Sequence, residues 1–570
     1  MPLRSPADSR RPRKQPDSVT TTPRRSPRPE RAAPPAPRRR TIIGGALIVL
    51  IGNGLGLALG AGRDIILAAR FGANAQTDAY NLAFTIPNLV WLSMLSALMA
   101  AVIPSYSRVE ADEGRAAADR FARGVLRLLA MIFVPLALLY ALLLPRLLAA
   151  LGPGSSDATI QQATTLGYIM APLLVVTVLS SLLVSLLYLH DQFALPSLGQ
   201  GLVSGVLIVS IVAFGSNDII TVAIGTLVGF LLKFALEIVL LCRVNPSYRR
   251  PWDGLIGPSV WHALRLLGLA LVGFNLVGQG TQLLERTFAS HLDDGAISAL
   301  QYATRLGWVP LQFASAIGVA LLPALSRHAV SADALESPRQ LTIGVGIVTI
   351  VTVPAAFALL ILADPLTTFV YTRQAFGAAE TRLTFEALQG YAWGLPAVAA
   401  SLVLWNVLYA RRDMKPAVLI SAIALAVYVL LNVAGLRDSI LGVALSNSIT
   451  SIVMLTGILM ALRTRGGATI VAPVTDRLLA ITRVSLLCYA LPTAIAWVSQ
   501  RAVAAQTTLS LDGTLSRLLF VAVTSAFFGI MVWRLGLDDG VVLRTAQRYS
   551  GKAGALAGSC YAALRHRTGG

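Results

Sequence analysis

Charge is scarce in this chain, and acid scarcer than base: 13% of its 570 residues are charged, 28 Asp and Glu against 47 Lys and Arg, for a net charge of +19. Histidines number five and cysteines three. Cys242, Cys488 and Cys560 lie far apart, with neither a metal-ligand spacing nor a disulfide framework. These shortages exclude a disulfide scaffold and a thiolate metal centre. With 55% hydrophobic residues and a positive mean hydropathy they also exclude a soluble globule.

What the chain has is apolar length. A membrane-crossing helix needs roughly 20 mostly apolar residues. Fourteen stretches meet that measure: 41–68, 78–103, 121–150, 163–189, 195–214, 218–242, 259–290, 296–325, 341–363, 384–410, 416–435, 440–462, 478–499 and 515–536. The fold class is therefore an all-α polytopic membrane protein with short connections between about fourteen helices.

The first 40 residues differ in kind, with ten prolines and twelve Lys or Arg against three acids. They read as a disordered basic tail: the charged run is too long for a signal peptide and no small-residue cleavage site follows. Such charge can hold anionic lipid or nucleic acid, but beside a first span it serves as an orientation signal, so no nucleic-acid partner is assigned. Starting from a cytoplasmic N-terminus, the loops on that side carry fifteen Lys or Arg, among them Arg411, Arg412 and Lys415, and the opposite loops five. That asymmetry fits a cytoplasmic-membrane protein with both termini inside, the last segment being a tail over 537–570.

Two landmarks repeat. "PSYSR" at 104–108 returns as "PALSR" at 323–327, and "LLYLHDQFALP" ending at Pro196 returns as "VLYARRDMKP" ending at Pro416, offsets of 219 and 220. A shared offset points to duplication, with helices one to six (41–242) repeated as seven to twelve (259–462) and a further pair over 476–536. Six intervening spans give both copies one orientation, related by an axis along the membrane normal.

Polar residues inside spans fall on helical stripes. The first helix offers Asn53, Gly56, Gly60, Arg63 and Arg70; the second Asp78, Asn81, Thr85 and Asn88. The seventh offers Asn275, Gln279, Gln282 and Arg286; the eighth Gln301, Arg305, Trp308, Gln312 and Ser315. An arginine facing lipid costs about 2.5–3.5 kcal/mol at a span centre, so these faces meet protein or a water-filled cavity. Knitting of helices through small residues explains Asn53, Gly56 and Gly60 as well as a cavity does. Arg63 and Arg305 have no evident acid on their own faces, since Asp64 points about 100° from Arg63. Unpaired guanidiniums in a cavity suit an anionic substrate, phosphate above all. His190 with Asp191, and Lys233 with Glu237, read as structural, and the acid pair of "HLDDG" at 291–295 as a turn.

"GAGRDIILAARFGANAQTDAYNLAFTIPNL", "YATRLGWVPLQFASAIGVALLPALSR" and "LYARRDMKPAV" together resemble the MurJ (MviN) lipid II flippases, within the multidrug, oligosaccharidyl-lipid and polysaccharide exporter superfamily, from about 41 to 540. The resemblance implies a two-lobed bundle in the bacterial inner membrane. Its central cavity, lined by helices one, two, seven and eight, takes the diphosphate and sugars of a polyprenyl-linked peptidoglycan precursor and moves it by alternating access, and the last two helices hold the lipid tail. By motif, Arg63, Asp78 and Arg305 match family cavity positions. With Asn88, Arg286, Gln282 and Gln301 from the stripes they form the expected substrate site, with no catalytic or metal residue.

The chain departs from the family at Leu57 and Trp91, where arginines are expected, and at Thr304 and Trp308, where acids are expected. Another polyprenyl-linked glycan of capsule, teichoic or O-antigen type, and a non-transporting scaffold, therefore stay open. A drug or cation exporter would want more cavity acid than Asp78 and Glu285. An enzyme would want a paired-carboxylate motif by a sizeable outer loop. No cofactor is expected; Na⁺ or protons drive related exporters, but no carboxylate cluster identifies a coupling ion. Cell-wall synthesis or division proteins are the partners such a flippase would keep.

Overall fold

A computed structural model describes residues 39–214, 218–249, 257–270, 276–328, 336–410, 414–464, 468–503 and 511–534. The expected basic tail, the C-terminal tail, Asn275, Arg411 and Arg412 lie outside the described residues. Chain contacts separate Met1–Ala46 from Leu47–Gly570. Of the first unit only the opening of the first helix is described, and the rest concerns the second.

Every expected span is a helix or a pair of helices, and no strand occurs among the described residues. The first repeat holds α1 (Arg39–Phe71), α2 (Ala75–Glu113), α3 (Arg115–Leu151), α4 (Asp157–Met170), α5 (Leu173–Leu189), α6 (Ala194–Phe214) and α7 (Ile220–Val244). The second holds α8 (Pro258–Ala270), α9 (Leu276–Ala289), α10 (Ala296–His328), α11 (Glu336–Tyr371), α12 (Ala378–Ala392), α13 (Leu395–Ala410), α14 (Met414–Val433) and α15 (Ile440–Leu462). Then follow α16 (Ala468–Val503) and α17 (Leu511–Arg534).

The duplication is written in the helix starts. From α2 with α10 through α7 with α15, equivalent helices begin 220 to 222 residues apart, for example Ala75 with Ala296 and Ile220 with Ile440. Interior prolines follow: Pro135 and Pro145 of α3 return as Pro354 and Pro365 of α11. The spans expected at 163–189 and 384–410 are each broken, α4 to α5 by 44° and α12 to α13 by 51°. Pro172 and Pro396 lie at those breaks, where a ring without an N–H ends one hydrogen-bond ladder and is tolerated in the first turn of the next helix.

By length and apolar composition, seven helices among the described residues can cross a membrane, or nine counting each bent pair as one span. The count of fourteen is therefore not reached on that measure. α9, for one, is short and carries Gln279, Gln282, Glu285 and Arg286.

The glycines of α1 settle part of its stripe. A Cβ on Gly52 would meet Ser197 Oγ at 2.2 Å, and one on Gly56 would lie 3.5 Å from the Gly201 nitrogen. Small residues let α1 lie against α6, as is usual where no hydrophobic force drives helices together in lipid. Gly52 and Gly56 thus face the neighbouring helix.

Two buried polar clusters elsewhere are paired. Lys233 Nζ lies 2.7 Å from Glu237 Oε1 with both side chains sealed in, and Ser180 of α5 donates to Glu237 Oε2 at 2.7 Å. Asp119 at the start of α3 accepts from Tyr106, Asn245, Ser247 and Tyr248, fastening the chain that leaves α7. The seventh span straddles the repeats. Its first half, α8, packs Val260, Ala263 and Leu267 on Leu98, Val102 and Leu129 of α2 and α3, whereas α9 sits mainly against α14, with α15 and α3 beside it. The last two helices attach to α11, where Tyr489 stacks on Phe357 at 4.3 Å and Arg517 meets Asp364 at 3.3 Å.

Candidate functional site

α1 ends, and α2 and α10 begin, at one end of the bundle, and there the two repeats lock together. Asn74 caps α2 from within its own sequence, accepting from Gln76 and Thr77. The position that caps α10 is Gly295, which has no side chain to do the same. Asp78 of α2 supplies the missing cap across the repeat boundary. Its Oδ2 accepts from the Gly295 N–H at 2.8 Å, and its Oδ1 accepts from the Ser298 N–H at 2.8 Å and from the Ser298 hydroxyl at 2.6 Å. A carboxylate there also meets the positive end of the α10 dipole. Asn81 adds a bond from its amide to Ser298 Oγ at 3.0 Å.

Backbone seals the same end. The Ala375 N–H donates to Ala69 O at 3.0 Å, and Tyr302 donates to Gly72 O at 3.3 Å. Gly295 adopts φ +93°, and a Cβ on it would lie 2.1 Å from Ala73 O. Behind these bonds Ala68, Ala73, Tyr302, Tyr371 and Phe376 form an apolar plug, the rings of Tyr302 and Tyr371 being 5.1 Å apart.

The two arginines lie just past this plug. Arg63 sits eight residues before the end of α1 and Arg305 nine after the start of α10, so each is roughly 12–14 Å along its helix from the sealed end. Asp64 joins them. Arg63 donates to Asp64 Oδ1 through Nε at 2.9 Å and Nη2 at 2.6 Å, while Arg305 Nε lies 3.2 Å from Asp64 Oδ2. The expectation that Asp64 turns away and leaves the guanidiniums unpaired is thus corrected. Cα directions on a helix diverge by 100° per residue, but an arginine is long enough to fold back over its neighbour's carboxylate.

This bridge identifies the face of α1 that looks at α10. Asn53 and Leu57 share the Asp64 face at helical spacing, and both are exposed. Among the described side chains of α10, Arg305, Trp308, Val309 and Gln312 are exposed, whereas Ala303, Gly307 and Leu311 are buried. Exposed side chains thus stand on both of the faces that the bridge relates. Arg305 is the more open of the two arginines, its side chain 49% exposed against 14% for Arg63.

The remaining expected site residues gather in smaller groups. Arg286 donates to Gln301 Oε1 at 3.0 Å, within electrostatic reach of Asp78 and Arg305. Beside it Glu285 accepts from Asn447 of α15 at 3.0 Å. Gln282 is half-buried one turn earlier on α9, and Asn88 is half-buried on α2, roughly 15 Å beyond Asp78. Thr304 turns its hydroxyl back to Leu300 O. Trp91 packs edge-on against Phe230 at 5.7 Å, so an arginine placed there would forfeit that contact instead of simply restoring a cavity charge. The sequence reading missed the plug, whose tyrosines look like core in one dimension.

The arrangement can hold an anion between two repeats, behind a closed end, and it resembles known proteins. The family model described as Lipid II flippase MurJ matches residues 67–511. A probable lipid II flippase MurJ of Rickettsia prowazekii (strain Madrid E) is 25% identical over 68% of this chain and 77% of its own length. A lipid II flippase MurJ of Burkholderia cenocepacia is 28% identical over 71% of this chain and 81% of its own. In fold, the chain matches a structure titled lipid II flippase MurJ, inward closed conformation, with a TM-score of 0.69 at 22% identity, over 86% of this chain and 99% of that one. It also matches an inward-facing multidrug resistance MATE family transporter of the MOP superfamily, with a TM-score of 0.58 at 12% identity, over 76% and 99%. A match spanning most of the helical bundle places the chain: it belongs to the Lipid II flippase MurJ family.

Proposed function

We infer that the protein is a flippase for a polyprenyl-diphosphate-linked glycan, lipid II being the substrate its relatives are named for, and that it works in the bacterial cytoplasmic membrane without chemical catalysis. The observation that carries this is the Arg63–Asp64–Arg305 bridge between the repeats. Two guanidiniums and one carboxylate leave a net positive site, and planar forks match the oxygens of a diphosphate. Asp64 holds both forks in place while the site is empty, offsetting part of the cost of desolvating them. An incoming diphosphate then competes for the same donors. The sealed end is the outer face, with both termini cytoplasmic. Substrate enters from the opposite end, and release outward requires Asp78 to let go of α10.

Depletion of the protein tests this reading. The lipid-linked precursor should accumulate on the cytoplasmic leaflet, and the accumulated glycan identifies the substrate. No accumulation of any lipid-linked sugar would refute it. A second substrate, another polyprenyl-linked glycan, is favoured by one feature: Leu57 and Trp308 make the accessible face more apolar beside the charged bridge. Cell-wall synthesis or division proteins are the proposed partners, and no coupling ion is assigned.

A further inference from the structure

We propose that Trp308 is a sugar-stacking platform that sets which headgroup this protein accepts, resting on the reading of the site as a polyprenyl-diphosphate cavity. The indole is 50% exposed in a stretch of α10 where Leu300, Tyr302, Ala303 and Leu311 are buried. Its direction is fixed by its neighbours: Arg305, Trp308 and Gln312 share one face at spacings of three and four, and Arg305 on that face reaches Asp64 of the other repeat. The ring therefore stands on the face turned toward the other repeat. An arginine and a glutamine on the same stripe are unsuited to a lipid-facing surface.

Its position suits a sugar bonded to a diphosphate. Trp308 is one turn from Arg305, roughly 5 Å along the axis and away from the sealed end. Side chains on a helix lean toward its N-terminus, so the indole leans toward the charged bridge. A diphosphate held by Arg63 and Arg305 would place its first sugar within reach. The indole face carries negative π density, and a pyranose ring presents a face of weakly positive C–H groups to it. Leu57, exposed on the Asp64 face of α1, extends the apolar surface. The platform selects for a ring of suitable face, whereas the bridge selects for charge, so one protein separates the two parts of the headgroup between two groups of residues.

Equilibrium binding to the purified full chain tests this with two probes: undecaprenyl diphosphate alone, and the same lipid carrying an N-acetylated disaccharide. Trp308→Leu should weaken binding of the glycosylated lipid by about five- to tenfold and leave the bare diphosphate unchanged, while Trp308→Phe should retain most of the preference. Thermal melting of each variant reports on folding, and the exposed site should leave it unmoved. Equal loss on both lipids, or no loss on either, overturns the platform while leaving the flippase reading intact. Wild-type protein that binds neither lipid overturns the anionic-headgroup reading and the platform with it.

Discussion

Ser298 gives both its backbone N–H and its hydroxyl to one oxygen of Asp78, 220 residues earlier in the chain. That separation is the repeat offset, so near-equivalent positions at the starts of α2 and α10 meet at the sealed end. One repeat caps its own helix with Asn74, and the other borrows its cap from the first.

Loosening that cap should open the sealed end. In Asp78→Asn one carboxylate oxygen becomes an NH₂ that faces an N–H donor, with loss of a charge-assisted bond of about 1.5–3 kcal/mol. With native cysteines replaced by serine, a cysteine at Thr304 should react with an impermeant thiol reagent at least about tenfold faster in the Asp78→Asn background than without it. Gly295→Ala should act the same way, because its Cβ would sit 2.1 Å from Ala73 O. Gly435→Ala has open space around its Cβ at φ +118°; it should cost only backbone strain of about 1–2 kcal/mol and leave reactivity unchanged.

The bridge separates two kinds of defect. Arg63→Ala and Arg305→Ala should each abolish transport at normal protein levels, and lysine at either position should restore only part, since an ammonium keeps the charge without the fork. Asp64→Asn should instead bind undecaprenyl diphosphate more tightly than wild type, because the competing carboxylate is gone, while turning over more slowly. Full transport by the double variant Arg63→Ala, Arg305→Ala would reduce both arginines to packing residues.

A stability prediction concerns Lys233 and Glu237. Glu237→Leu alone strands a buried ammonium and should cost about 3–5 kcal/mol, visible as a lower melting temperature and reduced yield. Adding Lys233→Met should recover most of the loss, since an apolar pair of similar volume removes both desolvation costs. Transport should follow protein level in both cases.

Topology is open to the same thiol chemistry. Cysteines at Gln76 and Asp294 should label from outside intact cells, and cysteines at Glu113 and Arg463 should not; all four positions are exposed. The reverse pattern would invert the assignment of the sealed end as the outer face.

Sequence alone determined what depends on one helix at a time. Apolar length placed the helices and a shared offset disclosed the duplication, although the bends at Pro172 and Pro396 inside two spans read as continuous emerged only from the structure. The sequence also selected helices one, two, seven and eight, and the turn at 291–295 is as read. Helical periodicity reports a direction only about a helix's own axis, however, and says nothing of how that axis is turned toward its neighbours or how far a long side chain bends. Only the tertiary structure decided that Gly52 and Gly56 face α6 while Asn53 and Leu57 lie on the face turned to α10, that Asp64 joins the two arginines, and that Asp78 caps a helix in the other repeat. Each of those contacts closes a loop of more than a hundred residues or folds a side chain back along its own helix. Their geometry belongs to the packed bundle and has no local signal in the chain.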